Sequence, residues 1–172
     1  MTMPLNRNFS SLVMDMIKND VTIEPLNLQH TNISAKDEKG RNALFFAIET
    51  KNSENTKLLI ESGIPLMVAP DKHALFHAIF CNDFETVKLL IELGIDANIR
   101  DNEYKTPLMC AVYYNRVEIC NYLLNHGADL FKMDMKYDMA IDFAYRVDAK
   151  QIRDILNWKM MHLESKEQKI AS

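Results

Sequence analysis

Apolar residues recur along this chain in paired runs at helical spacing, and the pairs themselves repeat. The first run of each pair reads Asn42-Ala43-Leu44-Phe45-Phe46-Ala47-Ile48, His73-Ala74-Leu75-Phe76-His77-Ala78-Ile79 and Thr106-Pro107-Leu108-Met109-Cys110-Ala111-Val112. A more divergent copy follows at Met139-Ala140-Ile141-Asp142-Phe143-Ala144-Tyr145. Leu44, Leu75, Leu108 and Ile141 are thus separated by 31, 33 and 33 residues. The second run carries an apolar pair and closes on glycine. It reads Lys57-Leu58-Leu59-Ile60-Glu61-Ser62-Gly63, Lys88-Leu89-Leu90-Ile91-Glu92-Leu93-Gly94 and Asn121-Tyr122-Leu123-Leu124-Asn125-His126-Gly127. Apolar residues at this spacing predict two short amphipathic helices per copy, and the period is that of a helical-pair repeat.

The residues that flank the runs fit that reading. Thr106 is a good N-cap, and Pro107 suits a first helical turn, where its missing N–H costs nothing. Ala47, Ala78, Ala111 and Ala144 keep a small side chain where neighbouring helices approach closely. Gly63, Gly94 and Gly127 suit the left-handed conformation that ends a helix. The fourth and last glycine, Gly40, falls at the matching turn ahead of the first full copy, so none is left for a phosphate-cradling loop. Each helix pair leaves one apolar side uncovered, so stability requires the stack.

Composition narrows the function classes. The chain has 172 residues, 48% of them hydrophobic, enough for one domain with a core. A net charge of −4 argues against broad phosphate binding, so no nucleic-acid partner is expected. The run Leu12-Val13-Met14-Asp15-Met16-Ile17 is interrupted by Asp15 and lacks a cleavage site, which argues against a signal peptide. No segment approaches the roughly 18 apolar residues that span a bilayer, so no membrane partner is expected. Cys81, Cys110 and Cys120 are an odd set without metal-ligand spacing, which points to a reducing, cytoplasmic setting.

The aligned runs resemble the ankyrin repeat, whose inner helix opens T-P-L-H-x-A and whose outer helix ends L-L-x-x-G-A-D. Thr106-Pro107-Leu108 and Gly127-Ala128-Asp129 match best, and Asp96-Ala97-Asn98 is close to the family's ending. The resemblance covers residues 31–157 and implies an all-α ankyrin-repeat solenoid of stacked helix–turn–helix pairs with finger-like turns. The layout it implies is a repeat domain over residues 1–157 and a polar C-terminal tail over 158–172. Within the domain lie an irregular N-terminal cap at 9–30 and repeats at about 37–67, 68–98, 101–131 and 134–157. Phe45, Phe76, Met109 and Asp142 replace the family's histidine, so its inter-repeat hydrogen-bond network is largely lost. The second repeat is two residues short ahead of His73, which predicts a clipped finger turn. The charged end of the tail, 164–172, is expected to fray.

Candidate chemistry is sparse. His73, His77 and Cys81 fall on one helical stripe, but they spread over about 12 Å of helix and have no fourth ligand. The repeat register places His73 at the capping position and His77 at a packing position, so no metal is expected. No nucleophile signature is present, and no cofactor or enzymatic activity is expected. Asp37, Asp101 and Asp134 recur because turns favour aspartate bonded to its own backbone. Most methionines near the ends (Met14, Met16, Met133, Met135, Met139, Met160 and Met161) are expected to fill gaps.

In ankyrin proteins, partners usually meet the finger tips and the exposed side of the inner helices, which line a concave face. Carried onto this chain, those positions hold an aromatic set, Phe80, Tyr104, Tyr113, Tyr114 and Tyr137, with Met135 at the same tip as Tyr137. A basic rim of Lys39, Arg41, Lys72, Lys105, Lys136 and Arg146 accompanies it. Aromatics with a polar handle concentrate binding energy at interfaces. The resemblance therefore implies a monomeric, non-catalytic module that binds another protein, of inhibitor, immunity or effector type. The alternative is an adaptor that links a substrate to a larger complex such as a ubiquitin ligase, with its second docking segment beyond Trp158.

Overall fold

The computed structural model describes residues 9–28 and 32–170. Residues 29–30 of the expected cap and 171–172 of the expected tail lie outside the described residues. The described residues form two compact units that divide between Leu89 and Leu90. The first contains α1 (Phe9–Lys18), α2 (Pro25–Leu28), α3 (Ala43–Thr50) and α4 (Ser53–Glu61). Strands β1 (Met67–Ala69) and β2 (Lys72–His73) and helix α5 (Ala74–Cys81) follow, and the division falls within α6 (Phe84–Glu92). The second unit holds α7 (Pro107–Tyr113), α8 (Val117–Asn125), α9 (Ala140–Arg146) and α10 (Lys150–Ile170). This is the all-α repeat of inner and outer helices that the periodicity predicts.

The inner helices begin where the register places them, each with a different cap. Asn42 Oδ1 accepts from Phe45 N at 3.2 Å, His73 Nδ1 from Leu75 N at 3.1 Å, and Thr106 Oγ1 from Met109 N at 3.3 Å. In the fourth copy the roles reverse, and Asp142 Oδ2 accepts from Met139 N at 2.7 Å. Ala47, Ala78, Ala111 and Ala144 are fully buried, so no larger side chain fits there. Leu44, Leu75 and Leu108 form the core beside them, whereas Ile141 in the last copy is partly exposed. At the N-terminal end, buried Asn55 accepts from Ile23 N at 2.8 Å and donates to Val21 O at 3.0 Å, joining the cap to α4.

Gly63, Gly94 and Gly127 stop the outer helices at φ 81°, 87° and 87°. The next N–H then turns back, from Ile64 to Leu59 O, Ile95 to Leu90 O and Ala128 to Leu123 O, satisfying an end carbonyl. In the fourth copy the equivalent position is Met160, which has no such preference, and α10 runs on to Ile170. The segment expected to fray is therefore helical through Ile170.

Three finger turns share one design. The Oδ1 atoms of Asp37, Asp101 and Asp134 each accept two backbone N–H bonds at 2.8–3.0 Å, from the residues two and four positions on. The fourth residue of each turn is left-handed: Gly40 at φ 74°, Tyr104 at 63° and Tyr137 at 65°. The second repeat departs as its missing residues predict. β1 and β2 close a small antiparallel hairpin, Met67 facing His73 and Ala69 facing Lys72, across Pro70 and a left-handed Asp71.

Alanine at Gly127 meets open space, so it carries only the left-handed strain, about 1–2 kcal/mol. At Gly40 the new Cβ would also stand 2.9 Å from Pro70 Cγ. Gly40→Ala should therefore lower the urea midpoint more than Gly127→Ala. Equal losses would contradict the close approach.

Candidate partner-binding face

In the first unit, three of the residues singled out by sequence, Arg41, Lys72 and Phe80, lie on one ladder of rings and cations. Arg41 stands 5.1 Å from the Phe45 ring, and Phe45 stacks on His77 at 4.0 Å. His77 is 6.2 Å from Phe80, and Lys72 Nζ lies 5.5 Å over that half-exposed ring. Arg41 is committed to its own turn, with guanidinium contacts to Asp37 Oδ2 at 2.6 and 2.8 Å. Burial tends to raise the Asp37 pKa, but the Arg41 side chain and the Arg41 and Lys39 amides outweigh it and hold the carboxyl below its ordinary value. Lys39 is exposed at the tip of that turn.

The second unit gathers the remaining residues into two patches. Tyr113 is half-exposed, edge-on to Tyr114 at 5.1 Å and to Phe143 at 6.4 Å. Arg146 lies 5.1 Å over the same Phe143 ring and pairs with Asp138 at 2.6 Å. Tyr113 thus both covers a neighbouring repeat and presents its outer half. Lys105 pairs with Glu103. Tyr104 and Tyr137 instead line an open groove of about 540 Å³ with Phe131, Met133 and Met135, joined by Arg100 and Lys132.

That groove was only half visible in the sequence. The finger-tip alignment found Tyr104, Met135 and Tyr137, but not Arg100, Phe131, Lys132 and Met133, which lie in connecting segments without helical period. The gap-filling role expected for Met133, Met135 and Met161 is corrected. Met133 and Met135 are exposed, Met135 at 61%, because they precede and enter the fourth finger turn rather than a helix interface, and Met161 is exposed on α10.

The histidine–cysteine stripe is accounted for by packing. His73 caps α5, and His77 is only 1% exposed, 3.9 Å from Cys81 Sγ. Among the described residues no group of three or more His, Cys, Asp or Glu is arranged to hold a metal. Burial pushes the Cys81 thiol up to about 11, helped by the Glu49 and Asp83 charges. Burial likewise pushes Cys110 and Cys120 up to about 12. All three stay protonated near neutral pH, which makes them poor nucleophiles. No helix among the described residues is long and apolar enough to cross a membrane.

Capped inner helices, glycine-stopped outer helices and aspartate-braced finger turns recur in both units and define a repeat scaffold, with Phe80, Tyr104, Tyr113 and Tyr137 exposed on its inner helices and turns. A model described as ankyrin repeats in three copies matches residues 13–101 and 66–134. The chain belongs to the ankyrin repeat family. It is similar to putative ankyrin repeat protein L371 of Acanthamoeba polyphaga mimivirus, with 31% identity over 125 residues. That match covers 70% of this chain and 16% of the relative, so the chain spans only a small part of the relative's length. Ankyrin repeats generally act as protein–protein interaction modules, and the family is generally non-catalytic.

The buried imidazole generates a pH dependence. Burial first, then the nearby Lys72 charge, lowers the His77 pKa from 6.5 to about 4, with a smaller opposing polar contact from the Phe45 backbone. Between those values the unfolded chain binds the proton and the folded chain does not. Stability from this group is therefore complete above pH 6.5 and is lost as pH falls towards 4, by up to about 3 kcal/mol. Denaturant titrations should show His77→Leu gaining on the parent across that window. A parent-to-variant difference that stays constant with pH would refute the assignment.

Proposed function

We propose that this chain is a non-catalytic module that binds another protein through its inner-helix and finger-turn face. It acts by occupying the partner's surface, as proteins of inhibitor, immunity or effector type do. The observation that carries this reading is the Tyr113, Tyr114, Phe143 and Arg146 cluster. There a half-exposed tyrosine is held edge-on by two rings, and a guanidinium lies over one of them. Such rigid aromatic anchors lose little entropy on binding and supply much of an interface's energy. A monomer in the cytoplasm is the setting proposed, and three unpaired thiols support a reducing compartment.

One observation favours the adaptor alternative. α10 continues past the repeat register and exposes Trp158, Met161 and Leu163, a short apolar set available to a second partner.

The test is affinity capture with the full chain and with Tyr113→Ala/Tyr114→Ala, after circular dichroism shows both folded. The double variant should bind the captured protein at least about tenfold more weakly. Unchanged capture would remove the anchor. Deleting residues 159–172 separates the two readings. An occluding binder keeps its partner and its effect, whereas an adaptor keeps one partner and loses another.

A further inference from the structure

Among the described residues, three other than glycine, asparagine or aspartate take left-handed backbone: Lys51 at φ 54°, whose N–H closes α3, and two tyrosines. At the fourth position of the finger turn the first repeat has glycine, whereas the third and fourth have Tyr104 at φ 63° and Tyr137 at φ 65°. Asparagine and aspartate tolerate this region by bonding locally, and they hold it at Asp20, Asp71, Asn82, Asn115 and Asp148. Tyrosine has no such compensation. Neither ring recovers the cost by burial, since Tyr104 is half-exposed and Tyr137 is 81% exposed. Strain kept at an exposed ring points to a role outside folding.

Both rings line the groove of the second unit, and its walls are fixed before anything binds. Asn98 donates to Gly127 O and accepts from Asp129 N, each at 2.8 Å, which sets the segment leading to Phe131. Met135 N donates to Glu103 O at 3.0 Å and ties one finger turn to the next. Such pre-organisation lowers the cost of association.

The charges select the occupant. The groove's carboxylates serve its own backbone, Asp129 accepting from Phe131 N at 2.8 Å and buried Asp134 from Lys136 and Asp138 N. Arg100 lies 5.2 Å over the Tyr104 ring, and among the described residues neither it nor Lys132 forms an ion pair. The two cations are therefore the charged groups left to pair with a ligand, beside an aromatic and thioether surface that adapts to varied apolar shapes.

Resting on the partner-binding reading above, we infer that the groove between the third and fourth finger turns takes a partner's peptide segment carrying an apolar side chain flanked by a carboxylate. Tyr104 and Tyr137 clasp the apolar group, and Arg100 and Lys132 meet the acid.

The test pans a random-sequence peptide library on the full chain and reads the enriched sequences and their affinities. Apolar residues neighboured by Asp or Glu should be enriched. Tyr104→Gly/Tyr137→Gly should weaken these peptides by tenfold or more. Its Tm should be no lower than the parent's, because glycine relieves the left-handed positions. Arg100→Glu/Lys132→Glu should turn the selection from acidic to basic peptides. Enrichment of basic or uncharged peptides by the parent overturns the proposal, as does acidic-peptide binding that survives the folded glycine pair. Binders lost only in Tyr113→Ala/Tyr114→Ala overturn the groove and leave the interaction reading standing. A library with no specific binder sinks both.

Discussion

Backbone reversal through left-handed residues is the constraint on which the rest of this structure depends. Within each period the chain must reverse after the inner helix, after the outer helix and at the finger turn. Lys51, Asn82, Asn115 and Asp148 make the first reversal at φ 52–54°, and Gly63, Gly94 and Gly127 the second at 81–87°. Gly40, Asp71, Tyr104 and Tyr137 make the third at 56–74°. With those points fixed, helix lengths are set and an alanine is buried at the same register position in each inner helix. Where Met160 replaces the helix-stopping glycine, the outer helix has no reason to end and continues to Ile170.

Much of this fold was legible in the sequence because its determinants are local and repeated. The leucines at 44, 75 and 108 and the four alanines share one register, and burial confirms them together. His73 could be assigned as a cap only because it stands where Thr106 stands one repeat later. The Asn55 bonds to Val21 and Ile23 left no such trace, since they occur once and link segments far apart in sequence. Arg41 was legible as a basic finger-turn residue but not as a brace, because folding onto Asp37 is a choice of rotamer.

The candidate faces divide in the same way. Tyr113, Tyr114 and Tyr137 stood out because they fill positions that a repeat leaves free. Arg100, Phe131, Lys132 and Met133 lie in irregular connections, where hydrophobicity has no period to violate. What brings them to one groove is the pair of Asn98 bonds to the next repeat and the Met135–Glu103 link. Several of the basic rim residues are partly structural. Arg146 bonds Asp138, Lys105 pairs with Glu103, and Lys72 rests over Phe80. Charges engaged in this way steer a partner more than they hold it, so the proposed anchors are the rings.

Tyr104 and Tyr137 are held where the backbone would prefer glycine, so their φ angles are the quantity to measure. In a nitrogen-15-edited NOESY spectrum, a left-handed residue gives a strong intraresidue amide-to-Hα cross-peak, because that pair of protons is close. Tyr104 and Tyr137 should show it, as should Asn115 at φ 54°. Weak cross-peaks at both tyrosines would place them in ordinary extended or helical conformations, and the strain on which the proposed groove rests would not exist.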